Sequence, residues 1–138
     1  MTIKESLWDR LKEETAEDFS LLSLAEAEER PDDCYLVKSD SLGGEHGEEL
    51  LADLFITMEN CRCYPQYILL IDRGVFLAAK GHRLCSVLAE LEKNGSTVMV
   101  SEKSAQLYGL ADKIDPVLFA DTGRLLGVMN DAVKVITL

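Results

Sequence analysis

Thr97-Val98-Met99-Val100, then Ser101-Glu102-Lys103-Ser104, then Ala105-Gln106-Leu107-Tyr108-Gly109-Leu110 is the stretch whose reading decides the fold. An apolar, β-branched run ends in a serine-rich turn and opens into a helix. Open α/β sheets bind ligands at such strand-to-helix junctions, because backbone N–H groups converge there and a helix N-terminus favours negative charge. The side chains in the turn set its chemistry. Here they are serines, with no cysteine among them.

The same alternation extends outward in both directions. Residues 34–37 read as a short apolar strand and 48–58 as an amphipathic helix. Residues 67–71 form a continuous apolar run, the kind buried on both faces of a parallel sheet. A helix over about 82–93 is stopped by Asn94-Gly95. Beyond the strand at 97–100 come a short helix near 104–110, a brief strand at 117–119, a helix at 122–129 and a strand at 133–136. Helices separate every pair of strands, so the connections must be right-handed crossovers. The expected fold is a single α/β domain: a mainly parallel, five-stranded sheet with helices on both faces in flavodoxin-like layers.

Composition narrows the class. At 138 residues and 47% hydrophobic, the chain can build one compact core. Its net charge of −11 repels phosphate backbones and anionic lipid surfaces, so neither nucleic acid nor membrane is an expected partner. No apolar run approaches the roughly 20 residues that span a bilayer. The opening residues interleave charge with apolar groups, unlike a signal peptide, and the expectation is a cytoplasmic protein. Residues 1–33 hold eleven acids against four bases, so an acidic extension gives way near Pro31-Asp32-Asp33 to the domain at 34–138. Within the extension, Leu7, Trp8 and Leu11, then Phe19, Leu21, Leu22 and Leu24, suggest two short amphipathic helices that must dock on the main domain or a neighbouring subunit.

Several ordered motifs over residues 34–138 carry a family resemblance. They are Ser39-Asp40-Ser41-Leu42-Gly43, Glu48-Glu49-Leu50, Ile68-Leu69-Leu70-Ile71-Asp72-Arg73-Gly74-Val75, Leu88-Ala89-Glu90-Leu91-Glu92-Lys93-Asn94-Gly95, Tyr108-Gly109-Leu110 and Ala132-Val133-Lys134-Val135-Ile136-Thr137-Leu138. Together they resemble the DsrE/DsrF-like sulfur-relay family, closest to the DsrE-like C-terminal domain of the YedF-type proteins associated with selenium metabolism. The resemblance implies a sulfurtransferase-like activity, a homo-oligomer (trimer or hexamer) and a sulfur-relay protein partner. Counted back from Tyr108-Gly109-Leu110, the Cys-Gly-Thr-Cys pattern of those proteins falls on Ser101-Glu102-Lys103-Ser104, so both cysteine positions are serines. The resemblance also implies an N-terminal TusA-like domain with a Cys-Pro motif, yet residues 1–33 contain no cysteine. A relay needs a thiolate that attacks a persulfide and then holds the transferred sulfur, and an alcohol cannot form that intermediate.

The four cysteines are Cys34, Cys61, Cys63 and Cys85. Without an export signal they are expected to be free thiols. Cys61-Arg62-Cys63 has neither thioredoxin nor zinc-knuckle spacing, and no metal is expected. Cys34, Cys61 and Cys63 should lie at the amino edge of the sheet, away from the crevice, and Cys85 on an apolar stripe with Leu84, Leu88 and Leu91. Cys61 and Cys63, beside Arg62, are the candidates for a relocated sulfur carrier.

At the carboxyl edge, the loops after the first three strands supply pocket candidates: Asp40, Ser41, His46, Asp72, Arg73, Ser101, Lys103 and Ser104. His46 and His82 could form a general base or metal pair with Glu45 or Asp72. As solvated loop residues they need no such role, and two histidines without ligand spacing favour that plainer reading. Ser101 and Ser104 read as helix caps more readily than as nucleophiles, since no Gly-x-Ser-x-Gly elbow surrounds them. Gly43-Gly44-Glu45-His46-Gly47 lacks the spacing of a dinucleotide or P-loop turn. Three functions stand open: a non-catalytic binding or assembly subunit, which is the preferred expectation, a sulfur carrier using Cys61 or Cys63, and a small-anion or nucleotide-binding module. No cofactor is expected.

Overall fold

A computed structural model describes residues 33–138, and the helical extension expected over 1–33 lies, but for Asp33, outside the described residues. In chain order the elements are β1 (Asp33–Val37), α1 (Gly47–Asn60), β2 (Tyr67–Leu70), a 3-10 segment (Asp72–Ala78), α2 (Cys85–Lys93), β3 (Thr97–Ser101), α3 (Glu102–Leu107), a 3-10 turn (Pro116–Leu118), β4 (Phe119–Ala120), α4 (Thr122–Asp131) and β5 (Lys134–Thr137). The strands form one five-stranded sheet in the order β4-β3-β2-β1-β5, every pair parallel.

The central strands are apolar because both of their faces are covered. Ile68, Leu69 and Leu70 of β2 are wholly buried, and Val98, Met99 and Val100 of β3 nearly so. Side chains alternate between faces. Ile68, Leu70, Val98 and Val100 join Leu51 and Phe55 of α1 and Leu88 and Leu91 of α2 in the larger core. Leu69, Met99 and Cys34 meet Leu125 of α4 in a smaller core on the opposite face. The expected layering is therefore present, with α1 and α2 on one side of the sheet and α4 on the other.

The 3-10 segment over Asp72–Ala78 has no counterpart among the elements that the sequence pattern predicts. It forms because β2 stops at Leu70 and the chain folds back across the end of β1: Ile71 donates to the Val37 carbonyl at 3.0 Å, and Gly74 donates to the Ile71 carbonyl at 2.8 Å. Gly74 is required there, since a Cβ would overlap the Val37 carbonyl. Val75, Leu77 and Ala78 are buried by this turn. The helix expected from His82 accordingly begins only at Cys85.

Helices α1, α2 and α3 all end in the same way. In each, two backbone bonds close a turn whose hinge residue has positive φ: Arg62 (57°), Gly95 (115°) and Gly109 (70°). For α1 the bonds run from Arg62 to Glu59 and from Cys63 to Met58, and for α2 from Gly95 to Glu92 and from Ser96 to Leu91. Glycine enters this left-handed hinge without steric penalty, whereas Arg62 has a Cβ to accommodate. Replacing it with glycine relieves roughly 1–2 kcal/mol of steric cost and returns roughly 0.4–1 kcal/mol as added freedom of the unfolded chain. Arg62→Gly is therefore expected to stabilise the domain by about 0.5–1 kcal/mol. A rise in the denaturation midpoint would show it, and an unchanged or lower midpoint would contradict it.

Candidate functional site

The carboxyl ends of β1, β2 and β3 meet at one edge of the sheet, and most of the polar candidates gather there. Ser101 closes β3 and caps α3: it is 5% exposed, and its hydroxyl accepts the N–H of Ser104 at 3.1 Å. Because the helix starts at Glu102, Ser104 is its third residue and takes another task. Its hydroxyl accepts the backbone N–H of Asp72 at 2.9 Å, across 32 positions of sequence. Asp72 holds a left-handed backbone, with φ of 50°. Its carboxylate accepts the Tyr108 hydroxyl at 2.5 Å. That bond, followed by partial burial, holds the phenol pKa above its ordinary value of 10.0 and keeps Tyr108 protonated.

Arg73 carries the network into the β1 loop. Its guanidinium forks onto Asp40, Nε to Oδ1 and Nη2 to Oδ2, both at 3.2 Å. The bond to Asp40 raises an already high guanidinium pKa further. Arg73 lies 4.9 Å from the ring centre of Phe76 and 5.9 Å from that of Tyr108. The two rings meet edge to face, with centres 5.3 Å apart. Beside Asp40, the Ser41 N–H donates to the Ser39 hydroxyl at 3.2 Å and the Ser41 hydroxyl accepts from Gly43 at 2.9 Å, which shapes the loop leading to α1.

Asp40, Asp72, Arg73, Ser101 and Ser104 thus form one connected knot with Ser41 beside it. Lys103 and His46 stay outside the knot, both exposed, and His46 heads α1 without a side-chain cap bond. His82 sits in a different hollow of about 260 Å³, lined by Asp40, Glu48, Ala52, His82, Arg83 and Leu84. Its Nδ1 accepts the Leu84 N–H at 3.0 Å, so the neutral ring carries its proton on Nε2. Burial pushes the His82 pKa below 6.5, against the upward pull of Asp40 and Glu48. His46 does not line this hollow, and among the described residues no three His, Cys, Asp or Glu side chains gather in a metal-binding arrangement.

The thiols lie elsewhere. Cys34 is buried in β1, and burial pushes its pKa up. Cys61 and Cys63 are exposed after α1, on the loop that enters β2. Cys85 departs from its expected place in the core. Leu84, Leu88 and Leu91 are buried as expected, but Cys85 is half-buried at the start of α2, and its thiol donates to the Ala78 carbonyl at 3.5 Å. Phe76 and Tyr108 extend the knot, and no sequence pattern marks either as part of it. Tyr108 stood within a resemblance motif, but nothing local indicated that its hydroxyl meets Asp72.

No protein-family model and no curated protein matches the chain. Solved structures do. The ychN protein from E. coli aligns with a TM-score of 0.59 at 14% identity, covering 78% of this chain and 99% of that one. A conserved protein of unknown function, BT1422 from Bacteroides thetaiotaomicron, aligns with a TM-score of 0.54 at 15% identity, covering 78% and 95%. The likeness is one of fold: this chain has the DsrE-like α/β fold, with an all-parallel five-stranded sheet between helical layers.

Proposed function

We propose that this chain is a DsrE-like domain in which the crevice has become a structural joint, and that it works as a non-catalytic binding or assembly subunit of a homo-oligomer. The observation that carries the reading is the use made of Ser101 and Ser104, the positions where the sequence resemblance expects cysteines. One hydroxyl caps α3 and the other holds the strained Asp72 turn, so both oxygens serve the backbone. A relocated carrier at Cys61 or Cys63 would share nothing with this joint, since those thiols follow α1 and precede β2, at the amino edge. Asp40 already offsets the charge of Arg73, and the N–H groups of Asp72 and Ser104 are already bonded, which weighs against anion capture.

The cap at Ser101 should contribute about 1 kcal/mol. The bond from Asp72 to Ser104 should contribute roughly 0.5–1.5 kcal/mol. Ser101→Ala and Ser104→Ala are each expected to lower stability by about that amount, and the double variant to depart from additivity because the residues share one network. Denaturant titration reads all three, and two neutral substitutions would remove the structural role. Offered sulfane sulfur by a cysteine desulfurase, the intact chain is expected to show no stoichiometric, site-specific mass gain. One sulfur on Cys61 or Cys63 would replace this reading with the carrier reading. Light scattering of the intact chain is expected to give more than one copy, and a monomer would remove the assembly role.

A further inference from the structure

The Cys61-Arg62-Cys63 turn is used by neither the crevice nor the core. Both thiols are exposed, and both line one groove of about 360 Å³ together with Tyr35, Met58, Ile136 and Leu138. The turn between them is fixed rather than loose: Cys61 donates to Thr57 at 2.8 Å, Arg62 to Glu59 at 3.2 Å and Cys63 to Met58 at 2.9 Å. The Cys63 sulfur folds back to 3.7 Å from the Cys61 carbonyl oxygen. Both cysteines therefore line the same groove on a hydrogen-bonded turn, and Arg62 holds the left-handed hinge that glycine occupies at the ends of α2 and α3.

We propose that this turn is a two-thiolate site for a monovalent soft metal ion, of the Cu(I) type. Thiolates select soft cations, and a d10 monovalent ion accepts two sulfur ligands without further donors. A divalent ion such as zinc needs about four ligands, and among the described residues no group of three or more His, Cys, Asp or Glu supplies them. Charge points the same way. Two thiolates, the neighbouring Arg62 guanidinium and one monovalent cation sum to zero. The turn lies at the carbonyl end of α1, whose last turn carries no basic residue, and a helix C-terminus favours positive charge. Binding forms two sulfur–metal bonds and releases one proton from each thiol, with no change of oxidation state. The inference does not rest on the proposed assembly role.

The test is anaerobic titration of the full chain with Cu(I) held by an excess of the chromophoric chelator bicinchoninate. One ion retained per chain is expected. Cys61→Ser and Cys63→Ser should each weaken retention at least about tenfold, as loss of one of two ligands must exceed the effect of a supporting residue. Cys85→Ser should leave it unchanged, and circular dichroism should show every variant folded. Complete loss of the ion to the chelator would overturn the proposal. So would retention that survives Cys61→Ser with Cys63→Ser, or one ion shared between two chains.

Discussion

Strands β2 and β3 are buried on both faces, and a parallel sheet of this kind has nowhere to put polar groups except along its two edges. The rest of the domain follows from that constraint. At the carboxyl edge three strands end within reach of one another, and each must hand its backbone groups to a loop. The chain solves this by folding back on itself: Ile71 bonds to the end of β1, Gly74 lies against the same carbonyl with no room for a Cβ, and the 3-10 segment buries Val75 and Leu77. Such a turn leaves Asp72 with positive φ, and Ser104 from the next crossover holds it there.

The bonds in this knot are unequal. Arg73 is half exposed, so its fork to Asp40 is a surface ion pair of the sort that contributes little and weakens with salt. The Ser101 cap is buried and turns an otherwise unpaired helix N–H into a bonded one, which makes it the more durable contact. Tyr108 and Phe76 then cover the Arg73 plane and fasten Asp72 from the outside. Side chains of the knot thus bond to one another across the carboxyl edge, and the hollow that His82 lines adjoins them at Asp40. The amino edge differs in kind, because its exposed groups include the thiols of Cys61 and Cys63 beside an apolar groove.

The layered sheet was legible in the sequence wherever a run of apolar residues was long and bounded. Residues 67–71 and 97–100 announce themselves as apolar runs where the strands Tyr67–Leu70 and Thr97–Ser101 lie, and α2 is stopped by Asn94-Gly95 as its sequence indicates. Ser101 as a helix cap was also readable, since serine before a helix has one common task. The 3-10 segment was not. Val75-Phe76-Leu77 has no period of its own and folds only because the end of β1 is there to receive it. Ser104 was misplaced by the helix starting two residues earlier than expected, and that shift decides whether its hydroxyl caps its own helix or reaches Asp72. Pairings such as Arg73 with Asp40 span 33 positions and follow from topology, which no local pattern encodes.

Backbone hydrogen exchange at Asp72 tests most directly whether Ser104 serves the fold. The Asp72 amide donates to the Ser104 hydroxyl on a residue that is itself exposed, so its protection reports on that bond. The expected result is a protected Asp72 amide in the intact chain that loses its protection in Ser104→Ala, while the amide of residue 104 stays protected through Ser101. An Asp72 amide that exchanges at the free-peptide rate in the unaltered protein would contradict the account, because the hydroxyl at the crevice would then be unoccupied and available for other chemistry.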